Sequence, residues 1–150
     1  MNNFCPCFRE RQPELKRWYC IAEPINTLSN CAFSILAILR CIYPMPQHTL
    51  ILYNCLFAAG LCSAFHHATP FSWKWTIVID YLPIVIGVSY GWYTSIIAQI
   101  TPATLFLIIL SFACLLADHI WTPIPVPWGH SFWHILAAIA FDATIQDSLK

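Results

Sequence analysis

The chain has 150 residues, of which 59% are hydrophobic and only 9% charged. Its mean hydropathy is +0.63, whereas a soluble domain carries about 25% charged residues, so the composition excludes an ordinary soluble enzyme and predicts an all-α integral membrane protein. Lysine plus arginine and aspartate plus glutamate both total 7, which removes any net-charge argument for nucleic acid or an acidic partner.

Residues 1–22 read as a polar head with Arg9, Arg11, Lys16 and Arg17. The head lacks the apolar core of a secretory signal, so insertion is expected to start with the first spanning helix. Glu23-Pro24 marks a helix start, with an acid at the cap and proline at the first helical position, and predicts a helix over 23–43. Within it Glu23, Asn26 or Thr27, and Asn30 recur at helical spacing, a polar stripe that lipid would penalise and that should turn into a bundle. Pro44 and Pro46 interrupt the chain before a second helix over 49–68, which carries Gly60, Ser63, His66 and His67.

A turn rich in proline and tryptophan leads to a third helix over 76–100, with Asp80 near its mouth and Pro83 after it. Pro102 opens a fourth over 103–117, and Pro123, Pro125 and Pro127 mark an interfacial connector. The fifth helix, over 130–143, falls short of the roughly 20 residues of a straight span, so it should start within the bilayer depth or sit in a thinned bilayer. The prediction is a bundle of about five transmembrane helices over 23–145, with a polar tail over 146–150 and no internal repeat or second domain. Of the eight cysteines, five fall inside apolar segments, where they read as small buried residues rather than a disulfide scaffold.

Helix alternation places the end of the second helix, the start of the third and the start of the fifth at one membrane surface. His130 and His134, four apart on a helix, share one face and can close on a single ion. At the same depth lie Ser63, His67 and Asp80. Three neutral imidazoles leave a fourth position open on zinc, and we assign His67, His130 and His134 as its ligands. His66 competes with His67, but adjacent helical residues point about 100° apart, and the spacing from Ser63 selects His67. Asp80, costly in an apolar helix, serves either as general base and acid or as the partner that orients a ligating histidine. Ser63 donates to a developing oxyanion or to Asp80, or packs helices. His48 and His119 fall in loops, and Trp133 reads as an interfacial anchor. The few basic residues put the site on the cytoplasmic side.

The blocks Ala22-Glu23-Pro24-Ile25-Asn26-Thr27-Leu28-Ser29-Asn30, Gly60-x-x-Ser63-x-x-x-His67-x-Thr69, Asp80-x-x-Pro83 and His130-x-x-Trp133-His134 together resemble the alkaline ceramidase family. That family sits in a superfamily of membrane hydrolases with the progestin and adipoQ receptors and the Per1 lipid-remodelling proteins. The resemblance implies a zinc-dependent amidase cutting the N-acyl bond of a ceramide-like lipid, with His67, His130 and His134 matching the zinc ligands, Asp80 the acid/base residue and Ser63 the active-site serine. The chain departs from the pattern in several places. The family has seven helices against five predicted here, which makes this a reduced version of that fold. Asp80 is followed by Tyr81 where the ceramidases have glutamate, and the His-to-Asp spacing is two residues longer. Of the family's acidic calcium motif only Glu23 is matched, so no calcium is predicted. The family's zinc site faces the lumen, opposite to the charge-based orientation, and topology stays open.

Other readings of the same residues are a lipid esterase as in the Per1 branch, a receptor or scaffold in which zinc joins helices without turnover, and bis-histidine haem ligation by His67 and one of the last pair. The expected partners are a lipid substrate and the membrane, with Zn2+ as cofactor and no nucleic acid.

Overall fold

The computed structural model describes residues 24–69, 74–120 and 128–150, so the predicted head, Glu23 and much of the two connectors lie outside the described residues. All regular structure among the described residues is helical: α1 (Pro24–Ser29), α2 (Cys31–Cys41), α3 (Gln47–Ala68), α4 (Lys74–Tyr93), a 3-10 turn over Ile96–Gln99, α5 (Pro102–Ile120) and α6 (Trp128–Asp147). Two of these, over Gln47–Ala68 and Trp75–Tyr93, are long and apolar enough to cross a membrane, and α5 holds a shorter apolar stretch, Pro102–Ala117. By length and composition the expected five spans therefore reduce to two. The first is split, and α6 carries His130, His134, Asp142 and Asp147 among its apolar residues.

The split has a local cause. Asn30 turns its Nδ2 onto the Asn26 carbonyl at 2.8 Å while its own backbone N–H reaches the same oxygen at 3.3 Å. A side chain that competes for the helical acceptor loosens the ladder there, and the helix predicted over 23–43 is interrupted at Asn30, between α1 and α2. The polar stripe nevertheless points inward, because Asn26 and Asn30 are fully buried.

The third predicted helix ends at Tyr93 rather than at 100. Thr94 Oγ1 donates to the carbonyls of Tyr90 at 2.9 Å and Gly91 at 3.3 Å, and Ser95 adopts a left-handed φ of 59°, which no continuing helix tolerates. The last helix, expected to be short, runs 20 residues over Trp128–Asp147. The supposed tail thus begins as its final turn.

The helices pack in the order α4, α3, α2, α6, α5, with α1 wedged against α3 and α6 and the 3-10 turn joining α4 to α6. This arc leaves α4 and α5 as outer helices. At the α2–α3 contact Gly60 sets the spacing: a Cβ there would stand 2.5 Å from Ser34 Oγ and 3.0 Å from the Ser34 backbone nitrogen. Small residues at such crossings let two backbones approach.

Two polar clamps hold the end of the bundle where α2 stops and α3 starts. Arg40 donates from Nε to Asp142 Oδ1 at 2.8 Å and from a terminal nitrogen to Oδ2 at 2.7 Å, a forked pair that joins α2 to α6. Tyr53 OH adds a 2.7 Å bond to Asp142 from α3 and accepts from Gln146 Nε2 at 2.9 Å. Nearby Asp147 Oδ2 accepts from the Thr101 backbone at 3.1 Å and from the hydroxyls of Thr101 at 2.8 Å and Thr104 at 2.6 Å, so the end of α6 caps the start of α5.

Asp142→Ala is expected to lower stability by about 2 kcal/mol, because it strands the buried Tyr53 hydroxyl and one face of Arg40. The paired replacement Arg40→Met with Asp142→Leu should lose less, since it leaves no unpaired guanidinium behind, while the Tyr53 hydroxyl loses its acceptor in both. Thermal unfolding in detergent micelles reads both.

Candidate metal centre

Each imidazole reaches the site from a different requirement of the fold. α3 ends where α1 and α6 close over it, and α6 begins there, so His67 in the last turn of one and His130 and His134 in the first turns of the other meet at one end of the bundle. His67 and His134 are each 1% exposed and His130 is 9% exposed. The three rings stand edge to face, with centroids 5.0 Å apart for His67 and His130, 5.1 Å for His67 and His134, and 4.6 Å for His130 and His134. One nitrogen from each lies within 4.8 Å of the others, the one such group of three potential metal ligands among the described residues.

Two details show that these residues fit a cation. Nε2 of His67 and Nε2 of His130 are 3.3 Å apart, and two nitrogens each about 2.0–2.1 Å from a tetrahedral zinc stand about 3.3–3.4 Å apart. Nε2 of His134 is buried with no hydrogen-bond partner among the described residues, an arrangement that is costly for a polar atom unless something binds there. The donor set, three imidazole nitrogens and no thiolate, suits zinc among several divalent transition metals. The mutual edge contacts leave no slot for a macrocycle between any two rings, so the bis-histidine haem reading fails on geometry.

The surrounding polar groups come from α1, α3, α4 and α6. Ser29 Oγ lies 2.7 Å from His134 Nδ1, and Ser131 Oγ donates to Asn26 Oδ1 at 2.7 Å. His66, set aside as unable to face the bundle, is 5% exposed, and its Nδ1 is 2.8 Å from Thr76 Oγ1. Both neighbours are buried because α3 is covered on two sides: His67 turns to α6 and His66 to α4. Ser63 is buried one turn before His67. Asp80, partly buried, lies one turn after Thr76 on α4 and within electrostatic reach of Cys62 on α3. The structure thus gathers His67, His130 and His134 directly and sets Asn26 against α6 through Ser131, with Asn30 bonded to Asn26. Ser63 lies one turn before His67 on α3, Asp80 lies in the second turn of α4, and Glu23 lies outside the described residues.

Trp133, read from sequence as an interfacial anchor, instead lies against the site, 5.3 Å from the His130 ring and 5.0 Å from that of His134. With Phe33, whose ring is 6.2 Å from His134, it also lines an apolar cavity of about 390 Å³ that runs between α3, α4, α5 and α6 to the isoleucines of the 3-10 turn. Sequence reading missed Ser29, Ser131, Thr76 and Phe33. Ser29 alone left a signal, standing three residues after Asn26 on the polar stripe, where a helical neighbour would lie.

Elemental analysis of purified protein is expected to give one bound zinc per chain, lost in His67→Ala and in His134→Ala but retained in His66→Ala. Comparison with known proteins gives no further guide: no family model matches the chain, and no curated protein or solved structure matches it.

Proposed function

We propose that this chain is a multi-pass membrane protein that binds zinc through His67, His130 and His134 and hydrolyses the N-acyl amide bond of a ceramide-like lipid. The observation that carries the reading is the convergence of three buried imidazoles next to an apolar cavity, with Phe33 and Trp133 shared between the two. A bilayer setting is supported by the outer helices, which expose Val78, Leu82 and Val85 on α4 and Leu105, Phe106 and Ile109 on α5, a surface that water would penalise. The order of the blocks around Asn26, Ser63, Asp80 and His130, similar to that of the alkaline ceramidases, supports the amidase assignment.

Zinc held there would supply Lewis-acid polarisation and a lowered pKa for water. The remaining steps belong to the chain's own groups. Asp80 takes a proton from the attacking water and returns it to the leaving amine, so that amide and water become fatty acid and free base. The Ser63 hydroxyl donates a hydrogen bond to the oxygen that gains charge at the acyl carbon. The cavity takes the hydrocarbon chain, and Phe33 and Trp133 keep bulk water from the imidazoles.

Fatty-acid release from labelled ceramide is expected for the wild type, and Asp80→Ala should lower it by about 10²–10⁴-fold at unchanged zinc content. Full activity in Asp80→Ala would remove Asp80 from the chemistry. Zinc binding without release of any fatty acid from ceramide would instead mark a scaffold, and release only from an ester-linked lipid would mark an esterase.

The cavity reading has its own check. A Cβ at Gly87 would press on Cys55 and Phe141 at 3.2 Å, whereas at Gly91 it meets Ile97 at an ordinary 3.7 Å. Gly91→Leu should therefore fold, fill the cavity and depress turnover of long acyl chains more than of short ones.

A further inference from the structure

Three imidazoles can hold one ion only if each presents a bare nitrogen to it, and the tautomer of each ring is set by what its other nitrogen meets. For His134 the surroundings of Nδ1 decide the matter. Ser29 Oγ lies 2.7 Å from that nitrogen and 2.9 Å from the Asn26 carbonyl oxygen. A serine has one proton to give, and a carbonyl can only accept. If Ser29 gave its proton to His134, Oγ and the Asn26 oxygen would face each other at 2.9 Å with no proton between them. The hydroxyl therefore donates to Asn26, and its lone pair accepts Nδ1–H of His134. The Asn26 carbonyl is a further acceptor beside the same ring. With the proton on Nδ1, the buried Nε2, which has no hydrogen-bond partner among the described residues, carries the free lone pair of a ring whose centroid is 5.1 Å from that of His67 and 4.6 Å from that of His130.

We propose that Ser29 is the positioning residue of the metal centre, fixing the tautomer and ring orientation of His134 through a relay from His134 Nδ1–H to Ser29 Oγ and from Ser29 O–H to the Asn26 carbonyl. The inference rests on the reading of the three histidines as metal ligands, and it gives the break after α1 a purpose. Asn30, which loosens the helix there, hydrogen-bonds the same Asn26 carbonyl through Nδ2 at 2.8 Å. Ser131 on α6 grips the Asn26 side chain at 2.7 Å. The short helix is thereby tied to the helix that carries His134, and Ser29 is held at the ring. Neither Ser29 nor the relay touches substrate, so its role is exerted through His134.

The test uses the full chain in detergent micelles with Zn2+ alone as probe. Competition against a chelator is expected to show zinc affinity falling about 10–100-fold in Ser29→Ala and returning to within a few-fold of wild type in Ser29→Thr. In zinc-free protein labelled with 15N-histidine, the ring nitrogens of His134 should report Nδ1–H in the wild type and a mixture of tautomers in Ser29→Ala. Leu28→Ala, on the exposed side of α1, should change neither reading. Should Ser29→Ala fail to fold, Ser29→Cys keeps the volume but offers sulfur, a weak acceptor, and should weaken zinc in the same way. Wild-type zinc affinity with an unchanged His134 tautomer in Ser29→Ala or Ser29→Cys would overturn the proposal. If the wild type binds no zinc, the metal reading fails by itself, while the zinc-free nitrogen spectra still decide for or against Ser29.

Discussion

Lone pairs on neighbouring imidazoles repel unless a proton or a cation stands among them, and in a medium of low polarity that repulsion is poorly screened. The end of this bundle is built around such a cluster. Between His67 and His130 one proton can bridge the 3.3 Å gap, but no group among the described residues answers Nε2 of His134. A cation resolves all three at once. The cluster also dictates what surrounds it. Nδ1 of His134 must be supplied with an acceptor, which explains why a stretch of asparagine and serine is spent on α1, where apolar residues would pack with less penalty.

The same economy shapes the opposite end. Arg40, Asp142, Tyr53 and Gln146 satisfy one another across α2, α3 and α6, and Asp147 serves as the cap of α5. The set of Arg40, Asp142, Tyr53 and Gln146 answers its own groups and holds helices in register. Among the described residues Nε2 of His134 has no hydrogen-bond partner, but neither do Oγ1 of Thr49 and Oδ1 of Asn30. What separates the candidate site from a structural network is therefore the convergence of three buried imidazoles on one spot.

Between the two ends lies the apolar cavity, and its walls follow from the order of packing. Because α4 and α5 stand at the ends of the arc rather than against one another in the centre, space remains between them, floored by the 3-10 turn and roofed by Phe33 and Trp133. The turn exists because Ser95 stops α4 early. A helix continuing to residue 100 would have removed the floor. On the proposed function, the helix break that looks like a local accident sets how deep a hydrocarbon chain can reach.

Periodicity and alternation were enough to show that the chain is helical and that Ser63, His67, Asp80, His130 and His134 share one end, because sidedness depends only on how many times the chain reverses. The i,i+4 rule likewise placed His130 and His134 on one face from spacing alone. Helix ends were less legible. The breaks at Asn30 and Ser95 arise from competing side-chain and backbone bonds that leave no composition signal, and the length of α6 depends on Asp147 finding Thr101 and Thr104. What only the tertiary structure decided was how each side chain is matched to its partner. Arg40 was indistinguishable from any interfacial arginine until Asp142 met it from 102 residues away. His66 looked excluded until α4 covered the second side of α3, and Ser29 was silent until His134 was set against it. Spacing along one helix follows from its pitch, whereas which helix lies opposite is fixed by packing across the whole bundle, and a hydrogen bond of under 3 Å is sensitive to that alone.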